Sequence, residues 1–311
     1  MKLEGIHHIT AITADAQRNV DFYAGLLGLR LVKKTVNQDE PSVYHLFYAD
    51  EQGSPGADLT FFEFRGVPRG RAGAGMVHRI VWRVGSPEAL EFWAERLTGA
   101  GHEAEIAQGG VRFADPEGLE HELRVDHSGD EPLIAEHPEV PADLALQGFD
   151  AARAYARDPQ RSRALLEDAL GFAPADGDWE VRGDRRGGRW AYDEAPEAPG
   201  LQGAGTVHHI AWASEMGDHE RWRERAIEGG ARPTPVIDRF WFRSIYFREP
   251  SGVLFEIATI GPGFAVDEDP EHLGESLVLP PFLEQRREQI EAALTPIVNP
   301  RAVATGGSGA R

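Results

Sequence analysis

Hydrophobic and polar positions recur along this chain with two periods. Tyr44-His-Leu-Phe-Tyr48 and Leu59-Thr-Phe-Phe-Glu-Phe64 combine alternation with aromatic content, and they read as strands. From Ala16 to Leu27 the period lengthens: Val20, Tyr23 and Leu27 fall near helical spacing and predict an amphipathic helix. Pro87 to Leu97 and Asp218 to Ile227 predict two more helices, each followed by Gly-rich turns, and a last helix is expected from about Pro281 to Leu294.

The pattern repeats. Gly75-Met-Val-His78-Arg-Ile-Val-Trp82 matches Gly205-Thr-Val-His208-His-Ile-Ala-Trp212, and Asp115-Pro-Glu-Gly118-Leu-Glu-His-Glu122 matches Glu249-Pro-Ser-Gly252-Val-Leu-Phe-Glu256. Leu3-Glu-Gly-Ile-His7-His8 aligns with Leu146-Gln-Gly-Phe-Asp150-Ala151. Each of these is followed by a predicted helix closing on Leu-Gly, at Leu27-Gly28 and Leu170-Gly171, where glycine suits a C-terminal cap. The expectation is an α+β protein of four βαβββ modules paired into two domains of curved mixed sheets, with a C-terminal helical extension. The N-terminal domain would span 1–135 (modules about 3–66 and 74–127) and the C-terminal domain 144–262 (modules about 145–195 and 203–262). A Pro-rich acidic linker, Asp126 to Asp143, lies between the two pairs, and 263–311 form the extension with a small, polar, disordered tail from Arg301.

Composition narrows the function. The 311 residues contain 51 acidic against 32 basic side chains, a formal charge of −19, which disfavours binding to nucleic acid or to anionic membranes. No apolar run approaches a membrane span and MKLEGIHHIT lacks a signal-peptide core, so a cytoplasmic protein is expected. Lys2, Lys33 and Lys34 are the only lysines, consistent with a salt-adapted surface or a GC-rich genome. Cysteine is absent, which removes disulfides, thiolate metal sites and cysteine nucleophiles; any metal must be held by nitrogen and oxygen.

Among twelve histidines, two adjacent pairs stand out, His7-His8 and His208-His209, each opening a module on a predicted strand. Strict alternation lets one member of each pair face a shared centre. The second module has Arg79 in place of His209 and the third has Ala151 in place of His8, while His78 persists in a module without the set, so the second member of each pair is the better candidate. Glu256, flanked by Leu254, Phe255 and Ile257, is a carboxylate in an apolar strand and needs a partner there. His8, His209 and Glu256 would leave half an octahedron open, which suits non-haem iron(II) chemistry. Glu122 reads as an orphan of the repeat paired with Arg79, and the isolated His45, His78, His102, His121 and His219 read as structural or surface residues.

Ile6-His-His-Ile-Thr-Ala-Ile-Thr13 with Asp15, Phe22-Tyr23 and Leu27-Gly28 resembles the vicinal oxygen chelate superfamily of glyoxalase I, bleomycin-resistance proteins and type I extradiol dioxygenases. Asp39 to Tyr48, Gly263-Phe-Ala-Val-Asp-Glu-Asp269 and Leu279-Pro-Pro-Phe-Leu-Glu284 with Arg287 extend the resemblance to the hydroquinone-type ring-cleaving dioxygenases. It implies Fe(II), with Mn(II) as a substitute, on His8, His209 and Glu256, and an aromatic diol and O2 as substrates. It also implies catalytic roles for His7, His208 and Tyr246, with Thr10 and Arg239 binding substrate. His7 and His208 would need bulges to reach the site. Self-association into a homo-oligomer is left open. Glu63 is expected at the first-module place that Glu256 holds in the fourth. As a fourth ligand it would favour a glyoxalase-like lyase, isomerase or thiol transferase; a non-enzymatic drug-binding protein is a third reading.

Overall fold

The computed structural model describes residues 1–107 and 109–300; the expected disorder of 301–311 lies outside them. The first module is β1 (Ile6–Thr13), α1 (Ala16–Val20), β2 (Arg30–Val36), β3 (Tyr44–Ala49) and β4 (Asp58–Glu63). The second is β5 (Met76–Val84), α2 (Pro87–Gly99), β6 (Ala104–Ala107), β7 (Gly110–Ala114) and β8 (Glu120–Val125). The third has β9 (Phe149–Ala156), β10 (Ala173–Ala175), β11 (Asp178–Arg182) and β12 (Gly187–Glu194). The fourth has β13 (Thr206–Ser214), α3 (His219–Glu228), β14 (Ile237–Asp238), β15 (Arg243–Arg248) and β16 (Leu254–Thr259).

The helices depart from expectation at two places. After Val20 the first helix widens into i→i+5 bonding over Asp21–Leu26, with Leu27 N–H donating to Phe22 O at 2.8 Å. In the third module the helical segment between β9 and β10 is continuous but irregular, a 3-10 turn (Pro159–Ser162) passing through helical Arg163 and Ala164 into a wide turn (Leu165–Ala169). Both segments still end on glycines at positive φ, Gly28 at 72° and Gly171 at 77°. In the extension, a 3-10 stretch (Pro281–Arg286) runs into α4 (Arg287–Ala293).

Two eight-stranded sheets result, ordered β14-β15-β16-β13-β1-β4-β3-β2 and β10-β11-β12-β9-β5-β8-β7-β6. The first joins modules one and four through the antiparallel β1–β13 pair, and the second joins modules two and three through β5–β9. Each half of the chain therefore contributes one module to each sheet. No helix among the described residues is long and apolar enough to cross a membrane.

Alternation gives the first sheet two different faces. Ile9, Leu46, Leu59, Ile210, Trp212 and Phe255 join the main core, which continues into Trp82, Leu123 and Trp190 of the second sheet. On the other face Val32, Phe47, Ala211 and Ala258 meet Trp241, Phe242, Phe264 and Leu273 in a smaller cluster beneath the C-terminal extension. Lys33, fully buried, ties that extension down. Its Nζ donates to Phe264 O at 3.1 Å and Asp267 Oδ1 at 2.9 Å, contacts the Glu268 carboxylate, and lies over the Trp241 ring. Asp267 in turn accepts from Trp241 Nε1 at 3.0 Å.

Removing one partner of a buried ion cluster leaves uncompensated charge, so Lys33→Ala should cost about 3 kcal/mol of stability. Urea unfolding followed by tryptophan emission checks this; an unchanged midpoint contradicts it.

Candidate metal centre

β1 and β13 lie side by side at the middle of the first sheet, and two irregularities in their ladder build the site. Ile6 pairs with Trp212 and His8 with Ala211, leaving His7 as an extra residue. Thr10 pairs with His209 and Ala11 with Val207, leaving His208 as an extra residue. Both first members of the His-His pairs are thus bulge residues, where strict alternation is suspended. This brings each pair into ring contact: His8 Nδ1 lies 2.9 Å from His7 Nδ1, and His209 Nδ1 2.8 Å from His208 Nδ1.

His7 Nε2 lies 3.1 Å from the carbonyl oxygen of Thr259. A carbonyl only accepts, so Nε2 carries the proton. Burial, reinforced by His8, lowers His7 to about 3, so its ring is neutral and its Nδ1 accepts from His8 Nδ1–H. In its neutral tautomer His8 would then keep the Nε2 lone pair, as metal ligation requires.

That lone pair points at others. His8 Nε2 is 3.3 Å from His209 Nε2 and 3.2 Å from Glu256 Oε2, and His209 Nε2 is 2.9 Å from the same oxygen. The ligand atoms of these three buried residues all lie within 4.8 Å of one another. Burial opposes charge on Glu256, but the adjoining His8 and His209 hold its carboxyl well below the ordinary range. Its Oε1 accepts from Ser244 Oγ at 2.5 Å, while Oε2 has no hydrogen-bond partner. A buried anionic oxygen without a hydrogen-bond donor, lying 3.2 Å from His8 Nε2 and 2.9 Å from His209 Nε2, fits a bound cation.

The cluster opens on a pocket with about 410 Å³ of atom-free space, walled by Phe47, Phe62, Trp241 and Phe242, with His45, Arg239 and Tyr246 at its polar points. Arg239 donates from both Nη atoms to Asp39, at 3.2 and 3.0 Å, and from Nε to Tyr246 Oη at 3.4 Å. Burial and the Glu256 carboxylate push the Tyr246 phenol up, so it stays protonated.

Residues 5–123 and 148–257 match the Glyoxalase/Bleomycin resistance protein/Dioxygenase superfamily. The chain belongs to that superfamily. It is 38% identical over 317 residues to MhqA of Bacillus subtilis, provisionally named a ring-cleaving dioxygenase, covering 96% of this chain and 100% of that one. Its identity to the chlorohydroquinone/hydroquinone 1,2-dioxygenase of Sphingobium indicum is 32% over 310 residues, covering 93% and 95%. The crystal structure of a provisionally assigned Bacillus subtilis dioxygenase is similar with a TM-score of 0.88 at 40% identity, covering 96% of this chain and 98% of that one.

In this superfamily member the remaining sequence-derived candidates separate. His7 packs behind His8 and His208 behind His209; neither lines the aromatic pocket, and His208 borders a separate recess with Met76 and Arg248. Thr10 is buried, its hydroxyl 2.8 Å from Thr60 Oγ1. Glu63 is not where the repeat suggests. His8 and His209 are equivalent, so Thr10 corresponds to Ala211, and the partner of Ala211 is Glu256 while the partner of Thr10 is Thr60. The place of Glu256 is therefore taken by Thr60. The Glu63 carboxylate accepts from the Ala16 N–H at 3.0 Å, at the start of α1, and is not in the cluster. Glu122 has the expected partner and more: Arg79 at 3.3 Å, Arg112 at 3.2 Å and Arg124 at 2.6 Å. Ser244 was invisible in sequence, one serine among many, and only the β15–β16 register brings it to Glu256. His45 read as an isolated strand histidine, yet it lines the pocket.

Ser244→Ala removes the donor that orients the carboxylate and should weaken metal affinity by about tenfold, whereas Glu63→Gln should leave it unchanged. Competition with a chromophoric chelator measures both; equal losses in the two variants contradict the assignment.

Proposed function

We propose that the protein is a ring-cleaving dioxygenase that holds iron(II) on His8, His209 and Glu256 and acts on hydroquinone-type aromatic diols. The observation that carries this is the three-donor cluster at the base of an aromatic pocket, with the neutral Thr60 rather than a carboxylate at the fourth repeat-related place. Iron(II) held by His8, His209 and Glu256 would supply a redox-active centre through which the electrons of an aromatic diol become available to dioxygen. Manganese(II) shares the preference for this donor set. Hydroquinone rather than another ring is supported by the full-length similarity to a protein named for that substrate.

The chain's own residues have distinct tasks in this reading. Phe47, Phe62, Trp241 and Phe242 wall the ring and keep water from the reacting face. Tyr246 accepts from Arg239 Nε, which leaves its own proton free to donate to a substrate oxygen. Arg239 favours an anionic ring oxygen, but its charge is shared with Asp39, so it tunes rather than dominates the binding of phenolate. His7 and His208 hold the ligand imidazoles in orientation, and Thr10 acts through Thr60. Both oxygen atoms of O2 end in the ring-opened product.

Protein loaded with iron(II) under anaerobic conditions should consume one O2 per hydroquinone cleaved in an oxygen-electrode assay, with little uptake on a methylglyoxal–thiol adduct. His8→Ala, His209→Ala and Glu256→Ala should each lose both metal and turnover. Isomerisation of the adduct without oxygen uptake would overturn the proposal in favour of glyoxalase-type chemistry.

A further inference from the structure

His45 lies on the site face of β3, two strands away from β1 across β4, which places it roughly 10 Å laterally from the strand carrying His8. Tyr246 sits on the opposite flank, on β15 beyond β13 and β16, while Arg239 reaches from beside it across to Asp39 in the loop before β3; the metal-ligand cluster lies between Tyr246 and His45. The imidazole is held firmly. Its ring centroid is 3.9 Å from that of Phe47 and 4.4 Å from that of Phe62. Its Nε2 is 2.9 Å from Thr60 Oγ1, and the Thr60 hydroxyl spends its one proton on Thr10 Oγ1 at 2.8 Å. Thr60 can therefore only accept from His45, which fixes the proton on Nε2 and leaves Nδ1 as a lone-pair acceptor. Burial, with His8 and His209 nearby, holds the ring neutral. Among the described residues nothing donates to Nδ1, and the ring lines the pocket.

We infer that His45 is a specificity-determining residue whose Nδ1 accepts the hydrogen bond of a second, un-ionised hydroxyl across the ring from the one that ionises. The inference rests on the ring-cleaving reading above and adds to it the part of the substrate that is recognised. A para hydroxyl extends the full width of the ring away from the first oxygen, toward β3. An ortho hydroxyl stays beside the first oxygen and does not reach it. A fixed acceptor also rejects ethers, which have no proton to give, because binding them would leave Nδ1 unpaired in a partly desolvated pocket. Thr10 gains a role here as well: it takes the Thr60 proton and so sets the tautomer of His45 from two residues away.

The test is anaerobic isothermal titration of the iron-loaded full chain with hydroquinone, phenol, 4-methoxyphenol and catechol, in wild type, His45→Phe and His45→Asn. Wild type should bind hydroquinone about tenfold more tightly than phenol or 4-methoxyphenol, the equivalent of one hydrogen bond. His45→Phe should bring that ratio close to one without loss of iron content, while His45→Asn, which keeps an acceptor near Nδ1, should retain most of the preference. A ratio near one in wild type, or an unchanged ratio in His45→Phe, overturns the assignment while leaving ring cleavage standing. Should His45→Phe fail to fold, the wild-type ratio and His45→Asn still decide. Failure of every diol to bind wild type overturns the ring-cleaving reading and this inference together.

Discussion

The candidate site depends on two extra residues in one strand pair. Without the bulges at His7 and His208, alternation would send the two members of each histidine pair to opposite faces of the sheet, and no ring would stand behind either ligand imidazole. With them, each ligand candidate has an imidazole at its back. For His8 the chain of proton positions can be followed to a backbone carbonyl, so the lone pair at the site is set by a main-chain group of β16, the strand that also carries Glu256. Backbone register thus decides both where the donors sit and which of their atoms are bare.

The second sheet shows the same framework filled differently. β5 and β9 carry bulges at the corresponding places, His78 and Asp150, yet Arg79 and Ala151 stand where His209 and His8 stand in the first sheet. The carboxylate retained there, Glu122, is neutralised by three arginines instead of being left with a bare oxygen. The bulge is a property of the repeat, and the donor set is a property of one sheet. A buried carboxylate must be compensated in either setting, by guanidinium in one and in our reading by a metal ion in the other.

The repeat, the strands and the three converging residues were legible because each leaves a mark in local sequence: alternation, paired histidines, a carboxylate in an apolar run. Glu63 misled because sequence similarity aligns the ends of strands only loosely, and a few residues' displacement along β4 exchanges Thr60 for Glu63 at the decisive place. Ser244 and His45 left no mark, since their importance comes from cross-strand neighbours that register alone supplies. The shared ligand set implied that the first module meets the fourth, but not which strands form the seam. Nothing in either module's sequence says which sheet edge it will meet. The helix expected in the third module does form, but with 3-10 and wide turns in place of regular α geometry, and it buries Leu165, Leu166 and Ala169.

The joining of the first and last modules in one sheet bears on how the protein comes to exist. His8 and His209 touch across 201 residues of chain, whereas β5 and β9 belong to modules adjacent in sequence. During synthesis the strands of the second sheet emerge together and can pair early, while the first module waits with an unpaired β1 edge until the fourth is made. The donor set is therefore among the last features to assemble, and a chain that ends before the fourth module lacks His209 and Glu256 to complete it. In the reading proposed above, completion of the polypeptide itself guards against premature reaction with oxygen.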